Sequence, residues 1–231
     1  MNRVKNLFIF LVLISNLIPA QIVITMDNDT AGFEISDGWN YKELRGSWKE
    51  TAYFKGKGEG NQTATWNLNL LFPGEYKIET YSIDYDFAKD SRWTVKTKQG
   101  DTTVIVDLNY SPGWNSLGTF YLPETTSVAT SDYFESDTGQ YVIADAIRLT
   151  SQMDLFSISG EVDVGPNPRK SETELSLYKA GTQQILKDKI LPPETKQFEF
   201  NKLPSGFYRV QCVRWGYDTL TVDSIEISND N

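Results

Sequence analysis

Over most of this chain, apolar side chains recur at every second residue in short runs, and each run is stopped by glycine, proline, asparagine or aspartate. Trp66, Leu68 and Leu70 alternate with Thr65, Asn67 and Asn69; Pro73-Gly74 turns the chain, and Tyr76 to Ser82 resumes the alternation. A strand points successive side chains to opposite faces, so this pattern describes half-buried strands joined as hairpins. Trp93, Val95 and Thr97 continue it, followed by Val104 and Val106, then Trp114 to Leu122, then Tyr141 to Thr150. No window carries a helical repeat: Lys42 to Thr51 comes nearest, and Gly46 interrupts it. Many short strands separated by turn residues predict an all-β chain whose first body is a jelly-roll-type β-sandwich.

A second strand series begins directly after Ser151-Gln152-Met153. Its members are Phe156 to Asp163, Leu175 to Tyr178, Phe198 to Phe200, Gly206 to Trp215 and Thr219 to Ser228, with Gly165 to Pro168 as a loop. The predicted organisation is a leader over residues 1–20, the jelly-roll domain over 21–152, and a smaller Ig/prealbumin-like β-sandwich over 153–231.

The leader reading rests on Arg3 and Lys5, the apolar run Leu7 to Ile14, and the small residue Ala20 at its exit. This is the layout of a secretory signal peptide, and the run is shorter than the roughly 20 apolar residues of a membrane-spanning helix. The expectation is therefore export, to a periplasmic, extracellular or cell-surface location, with no membrane insertion of the mature chain. The chain has 22 basic and 31 acidic residues. Without Arg3 and Lys5 the balance falls to 20 against 31, a net charge of −11. Nucleic acid is excluded as a partner, because its binding needs lysines and arginines that displace condensed counterions. Cys212 is the only cysteine, so no internal disulfide exists; on its strand it shares a face with Tyr208 and Val210 and reads as a buried small hydrophobe. There is no histidine anywhere. That removes the Ser-His-Asp and Cys-His machinery and the common zinc sites. No pair of acids stands in a recognisable glycosidase frame, and the expectation is a non-enzymatic protein with no catalytic residues.

Five segments in order carry a family resemblance: Met26-Asp-Asn-Asp-Thr-Ala-Gly-Phe33, Gly38-Trp39, Leu71-Phe-Pro-Gly-Glu-Tyr-Lys-Ile78, Gly113-Trp-Asn-Ser-Leu-Gly-Thr-Phe120 and Ala144-Asp-Ala-Ile-Arg-Leu149. Together they make residues 22–150 resemble the golvesin C-terminal-like, or xanthan-lyase carbohydrate-binding-like, domain. The resemblance implies a jelly roll and a role in attaching to polysaccharide or another cell-surface component. Ile158-Ser-Gly-Glu-Val162, Leu175-Ser-Leu-Tyr178 and Phe198 to Val210 resemble the carboxypeptidase-regulatory-like, prealbumin-like sandwiches, which implies a spacer. The alternative is a structural or adhesive envelope protein that binds other proteins and no sugar.

Aromatic rings stack on the C–H faces of sugars while the hydroxyls find polar partners at the rim. Trp66 and Trp93 alternate with polar neighbours and belong to the core, and Trp39 and Trp114 stand beside glycines as structural anchors. The ligand-binding candidates are the aromatics of loop-like stretches: Tyr41, Trp48, Tyr53, Tyr85 and Phe87. Lys42, Arg45, Lys49, Lys55 and Lys57 form a local basic excess that would suit an acidic glycan. Asp27, Asp29 and Asp145 are the metal candidates, because a jelly roll brings its terminal strands together and calcium takes 6–8 oxygen ligands. A structural calcium ion is the one cofactor this pattern suggests.

Overall fold

The alternating runs become strands in a computed structural model, which describes residues 8–12, 21–137, 139–163 and 171–228. The expected loop at Gly165 to Pro168 and the expected leader exit at Ala20 lie outside the described residues. The protein is all-β; its one helical element among the described residues is a 3-10 turn at Trp48–Glu50. The chain divides into two units, Gln21–Met153 and a second made of Asp154–Asn231 with Met1–Ala20.

In chain order the strands are Phe8–Val12 (β1), Val23–Asp27 (β2), Phe33–Ile35 (β3), Asn40–Glu43 (β4), Thr51–Gly56 (β5), Thr63–Asn69 (β6) and Gly74–Ser82 (β7). They continue with Ser91–Thr97 (β8), Gly100–Val106 (β9), Gly113–Leu122 (β10), Thr125–Ser131 (β11), Tyr141–Ala144 (β12) and Ala146–Ser151 (β13). In the Gln21–Met153 unit a four-stranded sheet runs β10-β7-β13-β2, a five-stranded sheet runs β3-β6-β11-β8-β9, and a short third sheet runs β12-β5-β4. The strand pairings within these sheets are antiparallel.

One core joins these sheets, as face-to-face sandwich packing requires. Tyr76, Ile78, Ile147 and Leu149 point into it from the four-stranded sheet, Trp66, Trp93, Val95 and Val128 from the five-stranded one, and Ala52, Phe54 and Ile143 from the third. Trp66 and Trp93 are fully buried and stacked, with ring centroids 5.8 Å apart and planes 17° from parallel. On β7 the residues between the core positions, Lys77, Glu79 and Tyr81, face outward. Between β12 and β13 the chain passes from the third sheet to the four-stranded sheet at a single residue, Asp145, which is fully buried.

The second unit contains Phe156–Asp163 (β14), Thr173–Lys179 (β15), Ile185–Leu191 (β16), Gln197–Leu203 (β17), Gly206–Arg214 (β18) and Leu220–Ile227 (β19). Its sheets run β1-β14-β17 and β16-β15-β18-β19. The apolar stretch read as the leader thus supplies β1, paired antiparallel with β14 from Phe8↔Asp163 to Val12↔Ser159. Ile158, Leu175, Leu177, Phe198, Phe200, Leu203, Val210 and Cys212 are buried in this unit. Burial pushes the Cys212 thiol up to about 11, with Arg214 opposing, so the residue is an inert core group as expected.

Both units enter a central strand through the same corner. The Tyr76 hydroxyl donates to the Phe72 carbonyl at 2.8 Å, and the Tyr208 hydroxyl donates to the Pro204 carbonyl at 2.6 Å. Burial raises both phenols, Tyr76 to about 12. Tyr76→Phe should lower the stability of the first unit by about 1 kcal/mol through this one lost bond. Trp93→Ala should cost about 3–5 kcal/mol, because the cavity beneath Trp66 cannot close. Urea unfolding of the two variants, followed by tryptophan emission, checks both the order and the gap.

Candidate functional site

The aromatic candidates divide by strand geometry. Tyr53 and Phe54 are neighbours on β5 and therefore point to opposite faces. Tyr53 packs on Phe33 and, edge-on at 5.3 Å, on Tyr41, its cross-strand partner on β4. Tyr41 is well exposed, but no hollow accompanies this pair among those described. Phe54 turns to the other side and meets Tyr85 at 6.0 Å and Phe87 at 5.7 Å. Phe87 is fully buried. The expectation that it touches ligand is thereby corrected: an isolated parallel bridge to Tyr141 draws the backbone inward and turns the ring into the core.

Tyr85, two residues earlier, remains at the surface. With Asp84, Asp86, Tyr110, Gln140 and Tyr141 it lines a hollow of about 420 Å³. That volume lies within the range of about 300–1,000 Å³ typical of small-ligand sites. Tyr110 is 64% exposed and sits in left-handed backbone at φ 52°. The loops are fixed from below. The Tyr110 N–H donates to the Tyr85 carbonyl at 3.4 Å, and the Gln140 N–H donates to the Asp86 carbonyl at 3.0 Å. The Asn109 amide donates to the Phe87 carbonyl at 2.9 Å and to Asp86 Oδ1 at 3.4 Å. Gly139 packs so closely that a Cβ there would fall 2.1 Å from the Phe87 carbonyl oxygen, and its φ of 89° suits glycine alone. The site thus offers three tyrosine rings over a rim of carboxylate and amide acceptors.

A second aromatic group lies on the outer face of the four-stranded sheet, a few residues along the same loops. Tyr81 on β7 and Trp114 on β10 are register partners with centroids 5.1 Å apart, and Trp48 reaches over both, at 5.6 and 5.0 Å. Arg148 stacks 4.3 Å from the Trp114 ring and grips Glu79 Oε2 through two nitrogens, at 2.9 and 2.7 Å, while Lys77 takes Oε1 at 2.8 Å. Burial alone would raise the Glu79 carboxyl, but the bonds from Lys77 and Arg148 prevail and hold it below the usual carboxylate range. Trp114, read from the sequence as an anchor, is packed here on Tyr81, Trp48 and Arg148.

Trp48 is placed by a buried carboxyl. Its backbone N–H donates to Asp145 Oδ1 and Oδ2 at 3.1 and 3.0 Å. The two following residues, Lys49 and Glu50, adopt left-handed backbone at φ 53° and 64°. Such non-glycine conformations cost about 1–3 kcal/mol each and persist where the surroundings enforce them. The turn carries the Lys49 ammonium to within 3.3 Å of Asp27 and 3.1 Å of Asp29. Here the metal reading is corrected. Among the described residues no group of three or more potential ligands stands close enough to hold an ion. The positive charge between Asp27 and Asp29 is the chain's own lysine, and Asp145 is turned to Trp48. Within the basic excess, Lys55 donates to the Gly38 carbonyl, Lys57 to the Glu135 carbonyl, and Lys42 lies over Phe54.

The second unit has a larger hollow, about 530 Å³, lined by residues of β14, β16 and β17. Its one aromatic, Phe198, is buried, so it presents no stacking surface.

The unit is a β-sandwich with two aromatic groups at its surface, one at a loop hollow and one on the outer face of the four-stranded sheet. Residues 23–151 match the model of the golvesin C-terminal domain, and the chain belongs to that family. No curated protein matches the chain. Among solved structures, a Paenibacillus xanthan lyase is similar over 56% of this chain, at 23% identity and a TM-score of 0.49. An FMN-binding β-glucuronidase from Facaelibacterium prausnitzii L2-6 is similar over 84%, at 12% identity and a TM-score of 0.22. The matched regions cover 13% of the lyase chain and 40% of the glucuronidase chain.

Burial pushes the Asp145 carboxyl up to about 8, with the nearby Asp27 adding to the rise and the Trp48 N–H opposing it. The folded protein therefore keeps a proton here that the unfolded chain releases near the ordinary value of 3.8. Unfolding sheds that proton between these values, so this group's contribution to stability falls as pH rises from about 4 through about 8. Asp145→Asn keeps a carbonyl for the Trp48 N–H and removes the titration. Its stability relative to the parent should improve steadily over that interval and level off above it. Thermal melts at pH 5 and pH 9 test this; parallel profiles for the two proteins would contradict it.

Proposed function

We propose that the protein is an exported, non-catalytic module that holds polysaccharide at the Tyr85–Tyr110–Tyr141 hollow. One observation carries this reading: three tyrosine rings, two of them well exposed, border a single hollow whose remaining lining is Asp84, Asp86 and Gln140. Ring faces receive the C–H side of a sugar, and carboxylate and amide oxygens accept its hydroxyls. The backbone beneath is braced by Asn109 and Gly139, so little order has to be gained on binding. Membership in the golvesin C-terminal family accords with such a module.

The non-catalytic part of the proposal rests on chemistry. The chain has no histidine. The carboxyl most strongly raised, Asp145, is sealed at the strand crossing and turned to a backbone N–H. The second unit, with its own two sheets, serves in this proposal as a prealbumin-like spacer. Export rests on the basic start and apolar run of residues 1–20, ahead of a chain that is acidic as a whole.

A glycan array probed with the parent protein and with a Tyr85→Ala/Tyr110→Ala variant tests the reading. The parent should be retained on polysaccharide spots, and the variant should lose at least about tenfold, since each stacked ring contributes on the order of 1 kcal/mol. An array on which no glycan retains the parent, or on which the variant is retained equally, would overturn it.

A further inference from the structure

The tyrosine hollow and the tryptophan face are joined by the same two chain segments. Tyr81 lies four residues before Tyr85, and Trp114 four residues after Tyr110. Four residues of fully extended chain span at most about 14 Å, so the two aromatic groups are neighbours. The connection is also fastened. Asn115 donates to Ser82 Oγ at 2.9 Å, to the Ser111 carbonyl at 2.9 Å and to the Gly113 carbonyl at 3.0 Å, and the Ser82 hydroxyl donates to the same Ser111 carbonyl. One side chain therefore ties the loop behind Tyr110 to the strand that carries Tyr81.

The tryptophan face is chemically suited to a neutral ligand. Glu79, Arg148 and Lys77 on this face are bonded to one another, and Arg148 lies over the Trp114 ring, so the ring surface left to a ligand is mainly that of the partly exposed Trp48 and Tyr81. The hollow beyond it presents Asp84 and Asp86, which accept hydroxyls and repel carboxylated sugars. Trp48, Tyr81 and Trp114 are each partly exposed, and no hydrogen bond among the described residues engages the indole N–H of Trp48 or Trp114. Left-handed backbone at Lys49, Glu50 and Tyr110 flanks the two groups. Strain held on both sides of one surface marks a place kept for contact at a cost to stability.

We infer that the two groups are successive subsites of one track, which holds several consecutive units of a neutral, β-1,4-linked hexose chain. The inference rests on the carbohydrate reading above. In such a chain the ring substituents lie equatorial, and each unit turns a flat C–H face outward, the shape that separated aromatic platforms recognise. A single sugar would fill the tyrosine hollow alone; a longer chain reaches the tryptophan face and gains its stacking energy with the first contact already made.

Titration of the full chain with β-1,4-linked gluco-oligosaccharides of one to six units tests this. Affinity should climb at least about tenfold between the shortest and longest oligomers, the gain expected from one or two added stacked rings. Tryptophan emission should change only with the longer ones, because the tyrosine hollow contains no tryptophan. Trp48→Ala, which keeps the backbone N–H that Asp145 accepts, should lose that climb. Affinity independent of length, emission unmoved by the longest oligomer, or a full climb in the Trp48 variant would each overturn the track. Retention of other glycans through Tyr85 and Tyr110 on the array, with no gluco-oligosaccharide held, would sink the track and leave the carbohydrate reading standing. Retention of nothing in either experiment would sink both.

Discussion

The arrangement of this surface depends on one buried carboxyl. Asp145 occupies the residue at which the chain leaves the third sheet and enters the four-stranded one, so it has no strand partner of its own and no access to water. A charged group in that position would carry a desolvation cost of several kcal/mol, and protonation is the usual escape. The crossing instead acquires a use: both carboxyl oxygens face the N–H of Trp48 and add a tie from the core to a turn that Lys49 holds from the other side. Because Trp48 then packs on Tyr81 and Trp114, a polar requirement inside the fold becomes the position of a ring outside it.

The same logic explains why strained residues collect here. Among the described residues, three of the five non-glycine residues with left-handed backbone are Lys49, Glu50 and Tyr110. Lys49 is held by Asp27 and Asp29, and Tyr110 by its bond to Tyr85 and by the Asn115 clasp. Each conformation is unfavourable alone and is enforced by several partners, which makes the two aromatic groups stiff. A stiff, partly dry surface loses little entropy when it meets a rigid partner.

The architecture was legible because it rests on period two. Alternation in Trp66–Leu70, Tyr76–Ser82 and Trp93–Thr97 assigned strands and core faces directly, and Pro73-Gly74 marked the turn into β7, while the hydroxyl bond of the corner needed the structure. The site was legible only in part, since its loops have no period. Nothing in Asp84-Tyr-Asp-Phe87 says which aromatic turns inward; the bridge to Tyr141, distant in sequence, decides it. Trp114 packs on Trp48, Tyr81 and Arg148, contacts that the adjacent glycine does not announce. Tyr110 and Tyr141 were passed over because neither lies in an aromatic-rich stretch. The carboxylates invited a metal because acids at Asp27, Asp29 and Asp145 look alike on paper. A left-handed turn at Lys49, unfavourable for lysine, put an ammonium between two of them, and no local pattern forecasts that.

The second unit shows what sets the aromatic surface of the first apart. Both share the tyrosine corner, and both place a long strand after it with alternate residues facing out. After Tyr76 those residues are Lys77, Glu79 and Tyr81, beside Trp114 and beneath Trp48. After Tyr208 the corresponding outward positions are Arg209 and Gln211, and Arg209 stacks on Tyr178 while Tyr178 donates to Gln211. The exposed aromatics there, Phe207 and Trp215, are separated along the strand and border no hollow among those described. The corner sets a strand in place, and ligand capacity comes from what the neighbouring loops bring over it. Among the described residues it is the first unit that gathers rings from three parts of the chain, on segments pinned by Asp145, Asn109 and Asn115.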